Sequence, residues 1–315
     1  MPSPTRTVEH AVDIDAPADR VYELVANVED WPVVFGPTVH AAYVEKRFDT
    51  ELIRLWATAN GTAKTWTSRR VTDFVRMRVS FRQTKSAPPV GGMGGEWIVE
   101  PTGPATCRVR LLHDYFAASE DPADLAWIDA AVDRNSAAEL AALKSTAETG
   151  PGELFSFTDT VEVTGRAQDV YDFLNEAEKW QERLPHVARV SLTEDTPGLQ
   201  VLEMDTRTKD GSTHTTRSVR VCQAPEWIVY KQIVLPKLMT LHTGRWTITE
   251  VGGGRVAVTS RHTVRLNTDN IAAVLGPDAD VAATRDYVHR ALSGNSTATL
   301  TLARSYAEAA APAPA

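Results

Sequence analysis

The chain repeats itself once, and the repeat limits it to two copies of one domain. Offset by 149 residues, the 315-residue sequence pairs Val12 with Val161, Ala18 with Ala167, Val21 with Val170, Tyr22 with Tyr171, Glu29 with Glu178 and Trp31 with Trp180. The same offset holds further on, where Gln83 meets Gln232, Gly95 meets Gly244, Trp97 meets Trp246, Val109 meets Val258 and His113 meets His262. Chance rarely pairs two tryptophans twice. A period this long, seen twice, means duplicated domains rather than a solenoid, and about 150 residues lets each copy bury its own core. The copies are expected at 1–149 and 153–310, joined by a linker of Thr149, Gly150, Pro151 and Gly152 and followed by a disordered Ala-Pro tail. The second copy carries an insertion of 11 residues around Asn267 to Pro277, after which Asn135 and Ser136 align with Asn295 and Ser296.

Within each copy the hydrophobic period changes in a fixed order. An alternating strand comes first, over 8–15 and 157–164, then a short helix that ends before Trp31 or Trp180. Runs of period two follow over 51–59, 64–71, 75–84, 95–101 and 107–116, separated by Gly, Pro, Asn and Asp. An Ala- and Leu-rich helix closes each copy, over 122–148 and about 281–310. Strand, helix, several strands and a long helix form an α+β order, in which a meandering antiparallel sheet curls around the final helix and leaves a pocket.

Composition excludes several classes. With 41 acidic against 33 basic residues there is no basic stripe to neutralise phosphates, so nucleic acid is not an expected partner. Cys107 and Cys222 lie in different copies without metal-ligand spacing, and read as free thiols of a reducing cytoplasm rather than a metal site. No stretch approaches the 18 apolar residues of a membrane span, and the first residues lack the pattern of a signal peptide, so a soluble, cytoplasmic protein is expected. There is no Ser/His/Asp triad and no phosphate loop, and no cofactor is expected.

The run from Ala16 to Tyr22, Ala-Pro-Ala-Asp-Arg-Val-Tyr, with Trp31 and Pro32 about ten residues on, resembles the polyketide cyclase branch of the Bet v 1/START-like superfamily, whose fold is the helix-grip. Trp66, Ser68 and Arg70 are similar to the tryptophan, serine and arginine that line the pocket of bacterial aromatase/cyclases, and Trp31 and Trp97 match pocket tryptophans of that family. The tandem arrangement, with His214 and the segment from Met239 to Trp246 in the second copy, looks like the di-domain aromatase/cyclases of type II polyketide synthases in antibiotic biosynthesis. The resemblance implies a poly-β-ketone delivered by an acyl carrier protein, alongside a ketosynthase and a ketoreductase. Its first ring is closed or aromatised with loss of water, and a ketoreduced chain is the implied form. Two departures stand out. Pro37 to Val39 replace a tyrosine of some members, and the second copy reads as His214, Thr216 and Ser218 where the first has Trp66, Ser68 and Arg70, on an alignment shifted by one residue.

Alternation puts Trp66, Ser68 and Arg70 on one face of their strand, read as inward because it carries the tryptophan. Flat walls from Trp31, Trp56, Trp66 and Trp97 would fold a floppy chain at little rotamer cost, and each has a plain core role as its alternative. Phe81 and Gln83, with Tyr230, Gln232 and Trp246 in the second copy, are assigned to the same lining. Arg70 would offer fixed donors to a carbonyl oxygen gaining charge, with Ser68 holding a carbonyl or a water beside it. Loss of water needs a proton donor, for which His113, His214, His242 and His262 are candidates; the alternative for a strand histidine is a structural hydrogen bond. Asn135 and Asn295 sit mid-helix, at a polar end of the pocket or in helix packing. Arg76, Arg78 and Arg82 share an outward face, which either docks an acidic carrier protein or is an ordinary solvated face. The rival reading of the whole chain is a non-catalytic binder or carrier of an apolar or polyketide ligand.

Overall fold

The computed structural model describes residues 4–59, 62–150, 152–207, 211 and 213–310; Pro151 of the linker and the tail, 311–315, lie outside them. The chain divides into two compact units, Met1–Thr149 and Gly150–Ala315.

Unit 1 runs β1 (Arg6–Ile14), α1 (Ala18–Ala26), a 3-10 turn, α2 (Trp31–Val34), β2 (Thr38–Lys46), β3 (Thr50–Ala59), β4 (Thr62–Asp73), β5 (Arg78–Gln83), β6 (Val90–Gly103), β7 (Thr106–Ala117) and α3 (Pro122–Ala147). Unit 2 repeats the order with β8 (Leu154–Thr164), α4 (Ala167–Asn175), α5 (Trp180–Arg183), β9 (Val187–Thr196), β10 (Leu199–Arg207), β11 (Thr213–Gln223), β12 (Trp227–Val234), β13 (Met239–Gly252), β14 (Arg255–Leu266), α6 (Ile271–Leu275) and α7 (Val281–Ala310). Each sheet has seven strands, in the orders β1-β7-β6-β5-β4-β3-β2 and β8-β14-β13-β12-β11-β10-β9. The first strand pairs antiparallel with the last in each. This is the expected α+β pair of helix-grip domains.

The final helix of unit 1 follows from local chemistry. Asp121 caps it by accepting the Ala123 N–H, and Pro122 occupies the first turn, where its missing donor costs nothing. Ile128, Val132, Ser136, Leu140, Leu143 and Ala147 recur at intervals of three and four and are buried, so one stripe of the helix faces the sheet. Leu140 and Leu143 join Val21, Val79, Trp97, Val109 and Leu111 in one core, each large apolar side chain contributing about 1.5–3 kcal/mol on burial.

Three elements differ from the sequence reading. The strand β2 was not expected: it is buried only at its first half and exposed and charged at its outer end, which hides the alternation. The strand expected from 75 begins at Arg78 because Phe74 to Met77 form a turn, with Met77 at φ 51°. The insertion in the second copy folds as a 3-10 turn, Thr268–Asn270, followed by α6. Among the described residues no helix is long and apolar enough to cross a membrane.

Candidate active site

Strand register, rather than sequence offset, fixes which residues correspond. In unit 1, Arg70 faces Glu51 on β3 and Phe81 on β5, while Ser68 faces Ile53 and Gln83. In unit 2, Arg220 faces Gln200 and Tyr230, while Ser218 faces Leu202 and Gln232. Arg220 and Ser218 therefore stand where Arg70 and Ser68 do, Thr216 stands in place of Trp66, and His214 in place of Lys64. This corrects the shifted alignment that set His214 against Trp66. The second copy is one residue longer between Gln200 and Arg220 and one shorter between Arg220 and Tyr230, so the overall offset conceals the slip. A Ser-x-Arg pair in both strands was the available signal.

Both arginines are clamps. Arg70, 1% exposed, donates through Nη2 to the carbonyls of Val25 (3.1 Å) and Ala26 (3.0 Å) at the end of α1. There a cation also meets the negative end of the helix. Its Nη1 lies 3.3 Å from Glu51, and the guanidinium is 5.0 Å from the Trp31 ring, whose own Nε1 donates to Val25 O at 3.1 Å. Arg220 repeats this with Leu174 O at 2.6 Å and the Trp180 and Trp246 rings at 5.2 and 5.9 Å, Gln200 standing where Glu51 does. Burial lowers the pKa of both guanidinium groups, and the Glu51 carboxylate opposes this at Arg70. Arg70 Nε has no hydrogen-bond partner among the described residues. Ser68 donates to the Arg82 carbonyl at 3.1 Å.

The inward face of unit 1 keeps accessible surface. Trp66, Phe81, Gln83, Met93 and His113 are half-buried on four strands, and Gly95 leaves room for the Phe81 ring, into which a Cβ would run. His113 Nδ1 is 3.4 Å from Ser136 Oγ on α3, and the ring meets Phe81 edge-on at 5.5 Å. Burial, aided by His10, pushes the His113 pKa down to about 4, so the imidazole is neutral near pH 7. One turn beyond Ser136 lies Glu139, half-buried and without a hydrogen bond or ion pair to any described residue. Burial alone pushes its carboxyl up to about 7. Sequence reading missed Glu139, for which the sequence holds no signal, since it lies beside the buried stripe of α3 rather than in it.

The inward face of unit 2 is filled around its histidine pair instead, while His214, Ser218 and Gln232 stay half-buried. His242 Nδ1 is 2.9 Å from Gln232 Oε1, and His242 Nε2 is 2.9 Å from His262 Nδ1. His262 also meets Tyr230 at 3.1 Å, Ser260 at 3.1 Å and Ser296 at 2.7 Å. Gln232 Oε1 only accepts, so His242 donates from Nδ1 and accepts at Nε2 from His262. Burial pushes His242 down to about 3 and His262 to about 4, with the His pairing adding to the first. Every nitrogen of the pair is engaged by protein. His214 is half-buried on the same face, its pKa lowered by burial.

Several expected site residues lie elsewhere. Trp56 pairs with Thr65, on the opposite face of β3 from Leu55, and stacks on His40 at 5.1 Å. It sits on the outer side of the sheet because the inward rungs of β3 are the odd ones, Glu51, Ile53, Leu55 and Ala57. Asn135 and Asn295 are exposed; their neighbours Ser136 and Ser296 turn inward to the histidines. Trp31, Trp97 and Trp246 pack in the cores. Arg76, Arg78 and Arg82 are paired with Asp73, Glu96 and Asp114 at 3.1, 3.5 and 2.7 Å, which leaves that face an ordinary solvated one. Among the described residues no group of three His, Cys, Asp or Glu side chains could hold a metal ion.

Comparison with known proteins matches both units. Family models described as polyketide cyclase / dehydrase and lipid transport cover residues 5–148 and 163–285. The granaticin polyketide synthase bifunctional cyclase/dehydratase of Streptomyces virginiae is 50% identical over 298 residues, 93% of this chain and 97% of that protein. The actinorhodin polyketide synthase bifunctional cyclase/dehydratase of Streptomyces coelicolor is 46% identical over 319 residues, 97% of each chain. The crystal structure of the di-domain ARO/CYC BexL, from the BE-7585A biosynthetic pathway, superimposes with a TM-score of 0.92 at 58% identity, over 96% of this chain and 99% of that one. The di-domain ARO/CYC StfQ, from the steffimycin pathway, gives 0.85 at 36% identity over 96% of this chain and 99% of its own.

Proposed function

The chain belongs to the polyketide cyclase/dehydrase family, as two fused copies, and from that premise we propose that it is an aromatase/cyclase of aromatic polyketide biosynthesis. It closes the first ring of a poly-β-ketone and aromatises it by loss of water. Relatives named bifunctional cyclase/dehydratases support both steps.

The observation that carries the assignment of chemistry to unit 1 is the contrast between the two interiors. Trp66, Phe81, Met93, His113 and Glu139 retain accessible surface, whereas Thr216, Tyr230, His242, His262 and Thr299 at the matching positions are buried. Trp66 and Phe81 give flat surfaces against which a flexible chain is held for attack of an enol carbon on a ketone carbon. The new C–C bond leaves a hydroxyl on the attacked carbon. The neutral His113 imidazole takes the proton of the adjacent carbon, and the Glu139 carboxyl gives a proton to the departing hydroxyl. One water leaves, one C=C bond forms, and transfer of the proton from His113 to Glu139 restores the site. Ser68, whose hydroxyl donates to the Arg82 carbonyl, ties β4 to β5, and Arg70 is a positioning residue that fixes Trp31 and the end of α1.

On this reading the substrate arrives tethered to an acyl carrier protein, in ketoreduced form, beside a ketosynthase and a ketoreductase; the names of the relatives support the polyketide synthase setting alone. The test is product analysis by mass spectrometry in a reconstituted minimal polyketide synthase, with and without ketoreductase. Wild-type chain should give a new aromatic product that is lost with His113→Ala. Identical products with and without the chain in both systems would leave a non-catalytic binder as the better account.

A further inference from the structure

Unit 2 has an opening that this reaction does not use. A cleft of about 490 Å³ lies between β8 and the first turns of α7, with Phe155, Phe157, Arg285, Asp286 and His289 among its lining, within the roughly 300–1,000 Å³ of small-molecule sites.

Its floor is aromatic. Phe155 and Phe157, two residues apart and so on one face of β8, lie 6.2 Å apart with planes at 21°. The near-parallel series continues into the core, Phe157 to His262 at 4.9 Å and 16°, then His262 to His242 at 5.2 Å and 22°. The outer wall supplies two donor side chains, Arg285 and His289, and one carboxylate, Asp286. The Arg285 guanidinium is 5.1 Å from the Phe155 ring, and the His289 ring is 4.4 Å from Phe157 at 60°. Among the described residues no carboxylate makes an ion pair with Arg285 or His289.

The same place in unit 1 is built differently. Register sets Phe157 against Val8 and Phe155 against Arg6, and the Ser136/Ser296 match sets Arg285 against Leu125 and His289 against Asp129. There Arg6 lies 3.5 Å from Asp129, which also accepts from Tyr115 at 2.6 Å, and Leu125 packs beside Val8. Unit 1 thus satisfies this corner with its own anion. Unit 2 has replaced that anion with a histidine, set an unpaired arginine above it, and put two aromatic rings where the sheet met them.

The geometry points to a binding site for a planar aromatic anion, a phenolate or carboxylate ring set against the half-buried Phe157, beside the buried Phe155, with its charge toward Arg285. A flat ring fits the accessible part of that aromatic floor, and a guanidinium beside an aromatic surface suits a planar anion in both shape and charge. The binding does not rest on the reaction proposed for unit 1.

The test is calorimetric titration of the full chain with 2-naphthoate. The expected result is saturable one-to-one binding, weakened about tenfold in Arg285→Gln and weakened similarly when neutral 2-naphthamide replaces the anion. Arg285 is exposed, so this variant tests the site without disturbing the core; Phe157→Leu, checked for folding by circular dichroism, tests the floor. Absence of saturable binding overturns the proposal. Binding that survives Arg285→Gln but is lost in Trp66→Ala also overturns it, by placing the ligand inside unit 1. Either failure leaves the ring-closing activity of the chain untouched, because turnover is not what is read.

Discussion

His262 Nδ1 lies 2.9 Å from His242 Nε2, a pairing that unit 1 cannot make because Met93 stands where His242 does. The two imidazoles are neutral, buried and engaged at all four nitrogens, whereas His113 has one long contact to Ser136. The same fold therefore leaves one histidine with a single long hydrogen bond and ties two into the core.

Stability of unit 2 should fall in mild acid. Both folded pKa values, about 3 and about 4, lie below the ordinary histidine value of about 6.5, so the unfolded chain binds more protons in between. The stabilisation is complete above about pH 6.5 and is lost as pH falls toward 4. Urea denaturation from pH 7.5 to 5 should show the decline, and His242→Gln should flatten it. A pH-independent midpoint would mean the pair is not buried as described.

Glu139→Gln should lower kcat by about a hundredfold or more, with KM little changed, as expected for loss of a general acid. The acid form is required, so wild-type turnover should fall as pH rises through about 7. The residual activity of the variant should lack that limb. Retention of the limb would assign it to another group.

The two clamps should differ in cost. Arg70→Ala leaves the buried Glu51 carboxylate with only the exposed Lys46 at 3.7 Å and should destabilise unit 1 by about 3–5 kcal/mol. Arg220→Ala leaves neutral Gln200 and one carbonyl, and should cost about 1–3 kcal/mol. Chemical denaturation of each variant measures this. A fully stable but inactive Arg70→Ala chain would instead make Arg70 part of the chemistry.

On the final helices, Ser296→Ala should cost about 1 kcal/mol by removing a buried partner of His262. Asn295→Ala and Asn135→Ala, on exposed positions, should stay within about 0.5 kcal/mol of wild type. Thermal melts of the three separate the inward residue from its neighbour.

Those asparagines mark where the sequence stopped being legible. The duplication, the α+β order and the long last helix follow from period and offset, which many residues specify together. The inward face of β4 was also readable, because alternation carries it. Which of two adjacent helix residues faces the sheet was not, since Asn135 and Ser136 differ by one step of about 100° and both are polar. The slip that hid Arg220 arose from compensating length changes on either side of β11, visible only once strands are paired. Trp56 misled because a tryptophan suggests burial wherever it stands, and here it covers the outside of a sheet. Glu139 carries no spacing signature; its meaning comes from the interior around it.

Because each arginine clamp joins the first helix to the sheet through a helix-end carbonyl and a tryptophan ring that both units share, the interiors are exchangeable parts. Setting Thr, Tyr, His and Thr at Trp66, Phe81, Met93 and Glu139 would bring the first interior toward the filled one, and the reverse changes at Thr216, Tyr230, His242 and Thr299 would open the second. A designer could thus move an open interior from one half of this sequence to the other while leaving its anchoring bolts in place.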